Sequence, residues 1–372
     1  VITLPSKNPN RADSEKPGSV AVNNTSESYP FVNLIRFVSM MGVVWAHVVL
    51  WSPDRGGSTD LLEDTYMQSY IPYKQIFKFS VLCFFIISGF LLGDKITRGS
   101  RISYFKRRLD GTIKPYLVAF LLFAGIMLIR SHVLHKQVTE SNSFFSVIKF
   151  CVFDTFFWYL PNYLVCLFII MLLRKYLKSW YLGGALLSIT MVYTVLTVYT
   201  NTYAAGHATA IFGFIFYLWL GVFIRQKKLV SQIANVKTYV LLMVVVVLFI
   251  LSSAESYWLY KQSLPYFSIL RVFNQLYALA MFALLVKIGS SKMNFGIFDP
   301  RKESYGIYLY HGFFVYFMFP KLIIMAKEYM GIEIWTENTT LRLLLITLYA
   351  TCCYLLTVLL VKLLQRFKLA YL

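Results

Sequence analysis

FVNLIRFVSMMGVVWAHVVLW (31–51) is an apolar run interrupted by one arginine, Arg36, and one histidine, His47. At ~3.6 residues per turn their spacing is about three full turns, so both side chains fall on one helix face roughly 16 Å apart. Ionisable side chains are expensive in hydrocarbon. They normally face a protein interior or a wet cavity, where they mark function. The rest of the chain is therefore read around this pair.

Of 372 residues, 58% are hydrophobic, 18% aromatic and only 14% charged, a balance that a soluble domain of this size could not hide. Repeated apolar runs of ~20 residues match the length a helix needs to cross a bilayer. The expected fold is all-α, a polytopic transmembrane helix bundle. Spans are placed at about 31–51, 75–93, 113–130, 149–173, 180–200, 209–224, 238–254, 266–286, 303–325 and 341–361, about ten in all. With the N-terminus inside, the inner segments hold 23 Lys and Arg and the outer loops five. That split predicts both termini cytoplasmic. It also accounts for most of the net charge of +19 without a nucleic-acid partner. The five cysteines lie in or beside apolar runs, with neither a disulfide framework nor a zinc spacing, so no metal is expected. Residues 1–30, polar and rich in Asn, Ser and Pro, read as a disordered cytoplasmic tail with no signal peptide, leaving 31–372 as the membrane domain.

This orientation puts Arg36 near the cytoplasmic boundary and His47 in the outer half of the membrane. The outer loop 52–74 carries Asp54, Asp60, Glu63 and Asp64, which keep it solvated. In FFIISGFLLG (84–93), Ser88 and Gly89 mark either a small-residue packing spot or a local irregularity. RGSRISYFKRRLDGTIKPY (98–116) is the densest basic segment. It serves as a topological anchor, and its guanidinium forks and ammonium charges also suit a polyphosphate. In FFWYLP (156–161), Trp158 and Tyr159 read as interfacial aromatics or as a platform for a sugar ring. Arg271 lies inside an apolar stretch and needs a partner, for which Glu255 is one candidate. SYGIYLYH (304–311) sets Ser304, Tyr308 and His311 on one helix face.

Together these motifs resemble the acyltransferase-3 family of integral-membrane acyltransferases, which mostly O-acetylate bacterial surface glycans. Arg36 and His47 meet the family's R-x10-H spacing, and Ser88, Gly89 and Phe90 match its F-F-x-x-S-G-F motif. FWYL is similar to its W-[FY]-L motif, and SYGIYLYH to a Y-L-x-H-like motif ending at His311. The resemblance runs from about 31 to about 361. One departure concerns the basic segment, where the family often carries R-R-x-x-R. Here Leu109, Asp110 and Gly111 follow Arg107 and Arg108, so the third cation is either missing or supplied by Arg101, Lys106 or Lys114.

The resemblance implies transfer of an acyl group, most simply from acetyl-CoA, to a hydroxyl of a surface polysaccharide or lipid-linked sugar, in a bacterial cytoplasmic membrane. Arg101, Lys106, Arg107, Arg108 and Lys114, with Arg36, would hold the CoA phosphates. An ordinary imidazole titrates near pH ~6.5, so neutral His47 is the natural general base. Tyr308, Ser88 or Arg36 are candidate donors to the oxyanion, His311 belongs to the same catalytic group, and Trp158 and Tyr159 would meet the sugar. Direct transfer is preferred over an acyl-enzyme on His47, Ser88 or Tyr308. The rival expectation is a transporter or flippase of a glycan or lipid intermediate with an Arg–His proton relay, against which the sequence shows no internal repeat.

Overall fold

Inside a bilayer every backbone N–H and C=O must find a partner within the protein, which leaves helices as the default for a chain this apolar. The computed structural model describes residues 29–48, 60–93, 95–96, 101–134, 138–139, 141–202, 210–290, 293–331 and 338–367, with the side chains of 60–64, 101–105, 107, 108, 327 and 330 outside the description. The expected tail 1–30 falls almost wholly outside it, as do Asp54 and the side chains of Asp60, Glu63 and Asp64.

Every regular element among the described residues is helical. In order they are α1 (Pro30–His47), α2 (Asp60–Gln75), α3 (Ser80–Leu92), α4 (Arg101–Leu128), α5 (Phe144–Phe153), α6 (Tyr159–Leu172) and α7 (Trp180–Thr194). There follow α8 (Ile211–Gln226), α9 (Val230–Asn235), α10 (Thr238–Lys261), α11 (Val272–Ile288), α12 (Pro300–Phe313), α13 (Phe319–Met330) and α14 (Thr339–Arg366). Among the described residues six helices are long and apolar enough to cross a membrane, or seven if α5 and α6, bent by 64° at their junction, form one span. About ten were expected. The difference lies in α1, α8 and α11, apolar helices of 18, 16 and 17 residues. Of these, α1 ends on a buried lysine side chain and α11 starts at a buried non-helical segment, so neither has to match the full hydrocarbon thickness.

Four further expectations are corrected. Much of the outer loop 52–74 is α2, which joins α3 through a turn to make one span, Thr65–Leu92. The basic segment is helical from Arg101 onward, as the start of α4, rather than a loop. The single helix expected over 149–173 breaks at 154–158. The helix expected from 266 begins only at Val272.

The interior is built around α1, which packs against α3, α11, α12 and α14, and around the α3–α8 pair. Burial separates inner from outer spans: 61% of the apolar window of Thr65–Leu92 is covered by protein, against 22% for α10. The α3–α8 contact is backbone on backbone. A Cβ on Gly89 would fall 2.0 Å from the Leu218 carbonyl oxygen, and one on Gly221 would fall 1.9 Å from that of Ile86. Of the two readings of the Ser-Gly pair, close helix packing therefore holds for Gly89. All five cysteines are free thiols, four of them buried.

The segment between α10 and α11 is the main departure from helix. Here the carbonyls of five successive residues each accept from a side chain. Ser256 Oγ donates to Tyr266 O (2.6 Å), Lys78 Nζ to Phe267 O (2.9 Å) and Arg271 Nε to Ser268 O (3.0 Å). Asn274 Nδ2 donates to Ile269 O (2.6 Å) and Gln275 Nε2 to Leu270 O (2.5 Å). Arg271 is fully buried and also donates to Ser252 O (2.7 Å) and Gln75 Oε1 (2.6 Å). Glu255, the partner suggested by sequence, stands 3.9 Å from its Nη1 and accepts from Phe273 N and the Tyr199 hydroxyl.

The glycines offer a matched test of this packing. Gly89→Val must push α3 off α8 and is expected to lower stability by about 1–3 kcal/mol or more, since overpacking here meets backbone. Gly125→Ala, where a Cβ meets nothing within 4 Å, should leave stability unchanged or raise it by up to about 1 kcal/mol through helix propensity. Unfolding of the two purified variants in detergent checks both.

Candidate active site

Residues four, seven and eleven positions apart on a helix share a face, and Arg36, Met40, Val43 and His47 form such a stripe on α1. The stripe is one wall of a cavity of about 340 Å³. Ser88 and Phe84 of α3 face it, with Thr112 of α4, Phe156, Trp158 and Tyr159 of the α5–α6 break, and Arg301, Ser304, Tyr305 and Tyr308 of α12. Six residues given a site role from sequence, Arg36, His47, Ser88, Trp158, Tyr159 and Tyr308, thus line one space, together with Ser304 of the same α12 face.

The others are placed differently. Lys106 and Lys114 are exposed on α4 and do not line the cavity, and the side chains of Arg101, Arg107 and Arg108 lie outside the described residues. His311, expected on the face of Ser304 and Tyr308, is fully buried behind the wall, its ring 5.4 Å from that of His47. Sequence reading missed Arg301 as a lining cation. The signal was there in Asp299–Pro300: Asp299 caps α12 by accepting from Lys302 N (3.3 Å) and proline takes the first helical position, which puts 301, 304, 305 and 308 on one face.

The α5–α6 break brings aromatics inward. Thr155 holds it, donating to Cys151 O (2.5 Å) and accepting from Phe157 N (3.5 Å). The carbonyl of Phe157 accepts from both Tyr116 and Tyr308 hydroxyls at 3.3 Å. Tyr308 therefore commits its hydroxyl hydrogen to the scaffold, which leaves Ser88 and Arg36 as the lining candidates for an oxyanion donor. Trp158 is not interfacial: it is 6% exposed and stacks on Phe214 with ring centroids 5.4 Å apart. Tyr159 sets its edge against Phe85 at 5.0 Å.

A second cavity, of about 440 Å³, opens on the other side of His47 and Trp158, which line both. Its wall includes Asp154, Thr155, Thr197, Asn201 and Ser268, so its polar groups include a carboxylate, an amide and hydroxyls but, among the described residues, no guanidinium. Ser268 and Leu270 come from the non-helical segment whose carbonyls are held by side chains.

His47 owes its place to the end of α1. The chain turns extended at Val48, and the freed carbonyls of Trp45, Ala46 and Val48 accept from Lys74 Nζ at 2.9, 3.4 and 2.5 Å. Lys74, assigned from sequence to an outer loop, is 5% exposed and places its charge at a helix C-terminus, where cations are favoured. The arrangement presents an imidazole to two chambers, one carrying two guanidinium groups and the other carrying hydroxyl, amide and carboxylate groups.

The model of a protein family described as an acyltransferase domain matches residues 29–362. No curated protein and no solved structure matches the chain.

Removing the ammonium should release the end of α1. Lys74→Met is expected to cost about 1–3 kcal/mol for each carbonyl left buried without a donor, and Lys74→Arg to retain most of the stability. Chemical unfolding of both variants in detergent measures the difference.

Proposed function

The chain belongs to the acyltransferase-3 family, and from that premise we propose that this membrane acyltransferase moves an acetyl group from cytosolic acetyl-CoA to a hydroxyl of a surface polysaccharide or lipid-linked sugar. The observation that carries the reading is that His47 lines both cavities, so one side chain can touch a donor in the first and an acceptor in the second.

The first cavity suits the donor. Arg36 and Arg301 line it toward the side that loop charges predict to be cytoplasmic, where guanidinium forks match phosphate oxygens. Arg101, Lys106, Arg107, Arg108 and Lys114 lie along the start of α4, whose Gly111 and Thr112 reach the cavity, and would add positive potential around its mouth. The apolar stripe of Met40, Val43, Phe84 and Leu91 would take the pantetheine arm up to Ser88 and His47. The second cavity suits a polyhydroxylated ring, with Asp154, Thr197 and Asn201 to bond hydroxyls and Trp158 to carry a sugar face.

In the reaction, neutral His47 takes the proton of the acceptor hydroxyl as its oxygen attacks the thioester carbonyl. A C–O bond forms, the C–S bond breaks, and the imidazolium returns the proton to the CoA thiolate. Ser88, at the thioester end of the cavity, donates to the oxygen that becomes negative on the way, Arg36 being held at the phosphate end. Transfer is direct, and the bacterial cytoplasmic membrane is the proposed location. Two chambers meeting at His47 and Trp158 also suit a transport route for the acceptor, and the test separates the two.

Membranes given labelled acetyl-CoA should pass label to surface glycan or lipid-linked sugar, and His47→Ala should lower the rate at least about 10²-fold, the usual worth of a positioned base. Unchanged labelling by a folded His47→Ala variant would overturn the assignment, and acceptor movement in vesicles without acyl-CoA would favour the transporter. Arg36→Ala and Arg301→Ala should each raise the KM for acetyl-CoA by roughly 10- to 10²-fold, the loss of one charge-assisted bond of about 1.5–3 kcal/mol.

A further inference from the structure

We propose that His311 is the positioning residue for His47, its unprotonated Nε2 accepting a hydrogen bond from the His47 ring and so fixing which His47 nitrogen is left bare to act as base. The inference rests on the reading of His47 as the base.

His311 Nδ1 lies 3.0 Å from Ile307 O and 2.9 Å from Tyr308 O. Carbonyl oxygens only accept, so Nδ1 carries the hydrogen, and in the neutral ring Nε2 is a bare acceptor. That atom is buried and has no hydrogen-bond partner among the described residues. A buried acceptor left without a donor is costly and uncommon, so this one calls for an account.

Two of the rings packed on His311 are Phe156, at 4.6 Å, and His47, at 5.4 Å and tilted by 45°. Phenylalanine has nothing to donate, whereas an imidazole has an N–H. A centroid separation of 5.4 Å equals that of two imidazoles joined nitrogen to nitrogen at about 3 Å, so the rings need only turn, not move apart or together, to form the bond, and catalytic bonds are often long before substrate binds. Phe156 also packs on His47 at 6.3 Å, and it reaches this position because the residue after His311 is Gly312: a Cβ there would fall 1.8 Å from Phe156 Cε1. The phenyl ring packs against both imidazoles, with His311 fully buried beneath it and His47 open to the cavities.

The consequence is a tautomer. With its hydrogen on the nitrogen toward His311, His47 turns the other, bare nitrogen to the cavities, where the acceptor hydroxyl must arrive. When that nitrogen takes the hydroxyl proton, the N–H toward His311 becomes part of a cation and its bond to Nε2 strengthens. No proton passes to His311, and His47 hands the proton it took from the hydroxyl to the CoA thiolate. His311 does the orienting work that a carboxylate does in other histidine sites, without adding a charge to a buried place.

The test uses the purified full chain with ¹⁵N-labelled histidine, of which it has five. The wild-type imidazole spectrum should show His311 with a protonated Nδ1 and a bare Nε2 whose signal moves in His47→Ala. Kinetically, His311→Phe should lower kcat by roughly 10²-fold with the KM for acetyl-CoA unchanged, and His311→Asn, able both to donate to the carbonyls and to accept from His47, should recover much of the loss. A hydrogen on His311 Nε2, or wild-type kcat in folded His311→Phe, would overturn the proposal, and the wild-type spectrum decides the matter if His311→Phe does not fold. Full activity in His47→Ala would sink the base assignment itself, whereas inactive His47→Ala beside fully active His311→Phe would remove the role of His311 alone.

Discussion

Wherever the backbone leaves the helix inside this bundle, a side chain must satisfy the carbonyls it exposes, because lipid offers no donors. Lys74 does this for the end of α1, and Ser256, Lys78, Arg271, Asn274 and Gln275 do it for the five carbonyls before α11. These polar groups are not a substitute for the apolar core. They are the condition on which the core can contain breaks, and breaks are what make cavities.

Each break then shapes a cavity wall. The end of α1 leaves His47 at the last helical turn, the α5–α6 bend turns Phe156 and Trp158 inward, and the segment before α11 lines the second chamber. Around them the Gly89–Gly221 contact brings α3 and α8 together, with Ser88 at the cavity beside Gly89 in the contact. A short motif such as S-G-F therefore combines two jobs in neighbouring residues, one facing the cavity and one allowing close approach of helix backbones.

Charge is distributed by the same logic. Arg271 faces Glu255 at 3.9 Å and donates one hydrogen bond from each of its three nitrogens, to Ser268, Ser252 and Gln75, which marks it as structural, whereas Arg36 and Arg301 line a cavity. A guanidinium inside a membrane is a pointer to function only after its partners are counted. For Arg271 the count closes within the scaffold.

The apolar runs, the R-x10-H spacing and the short motifs determined a helical membrane bundle of this family, because hydrocarbon length and helix period are properties of local sequence. They also gave a site role to six of the residues that line the first cavity. What only the tertiary structure decided was the break positions, the partner of Lys74, Arg301 as a lining residue, and the burial of His311 behind His47 rather than on the cavity. Helix 149–173 read as continuous because its length and mostly apolar composition outweighed Asp154, Thr155 and Pro161, while the 64° bend is held by Thr155 and by Tyr116 and Tyr308 on other helices. Lys74 read as a loop cation because its three acceptors lie 26 to 29 residues away. Periodicity reports which face a residue occupies, and only packing reports what that face meets.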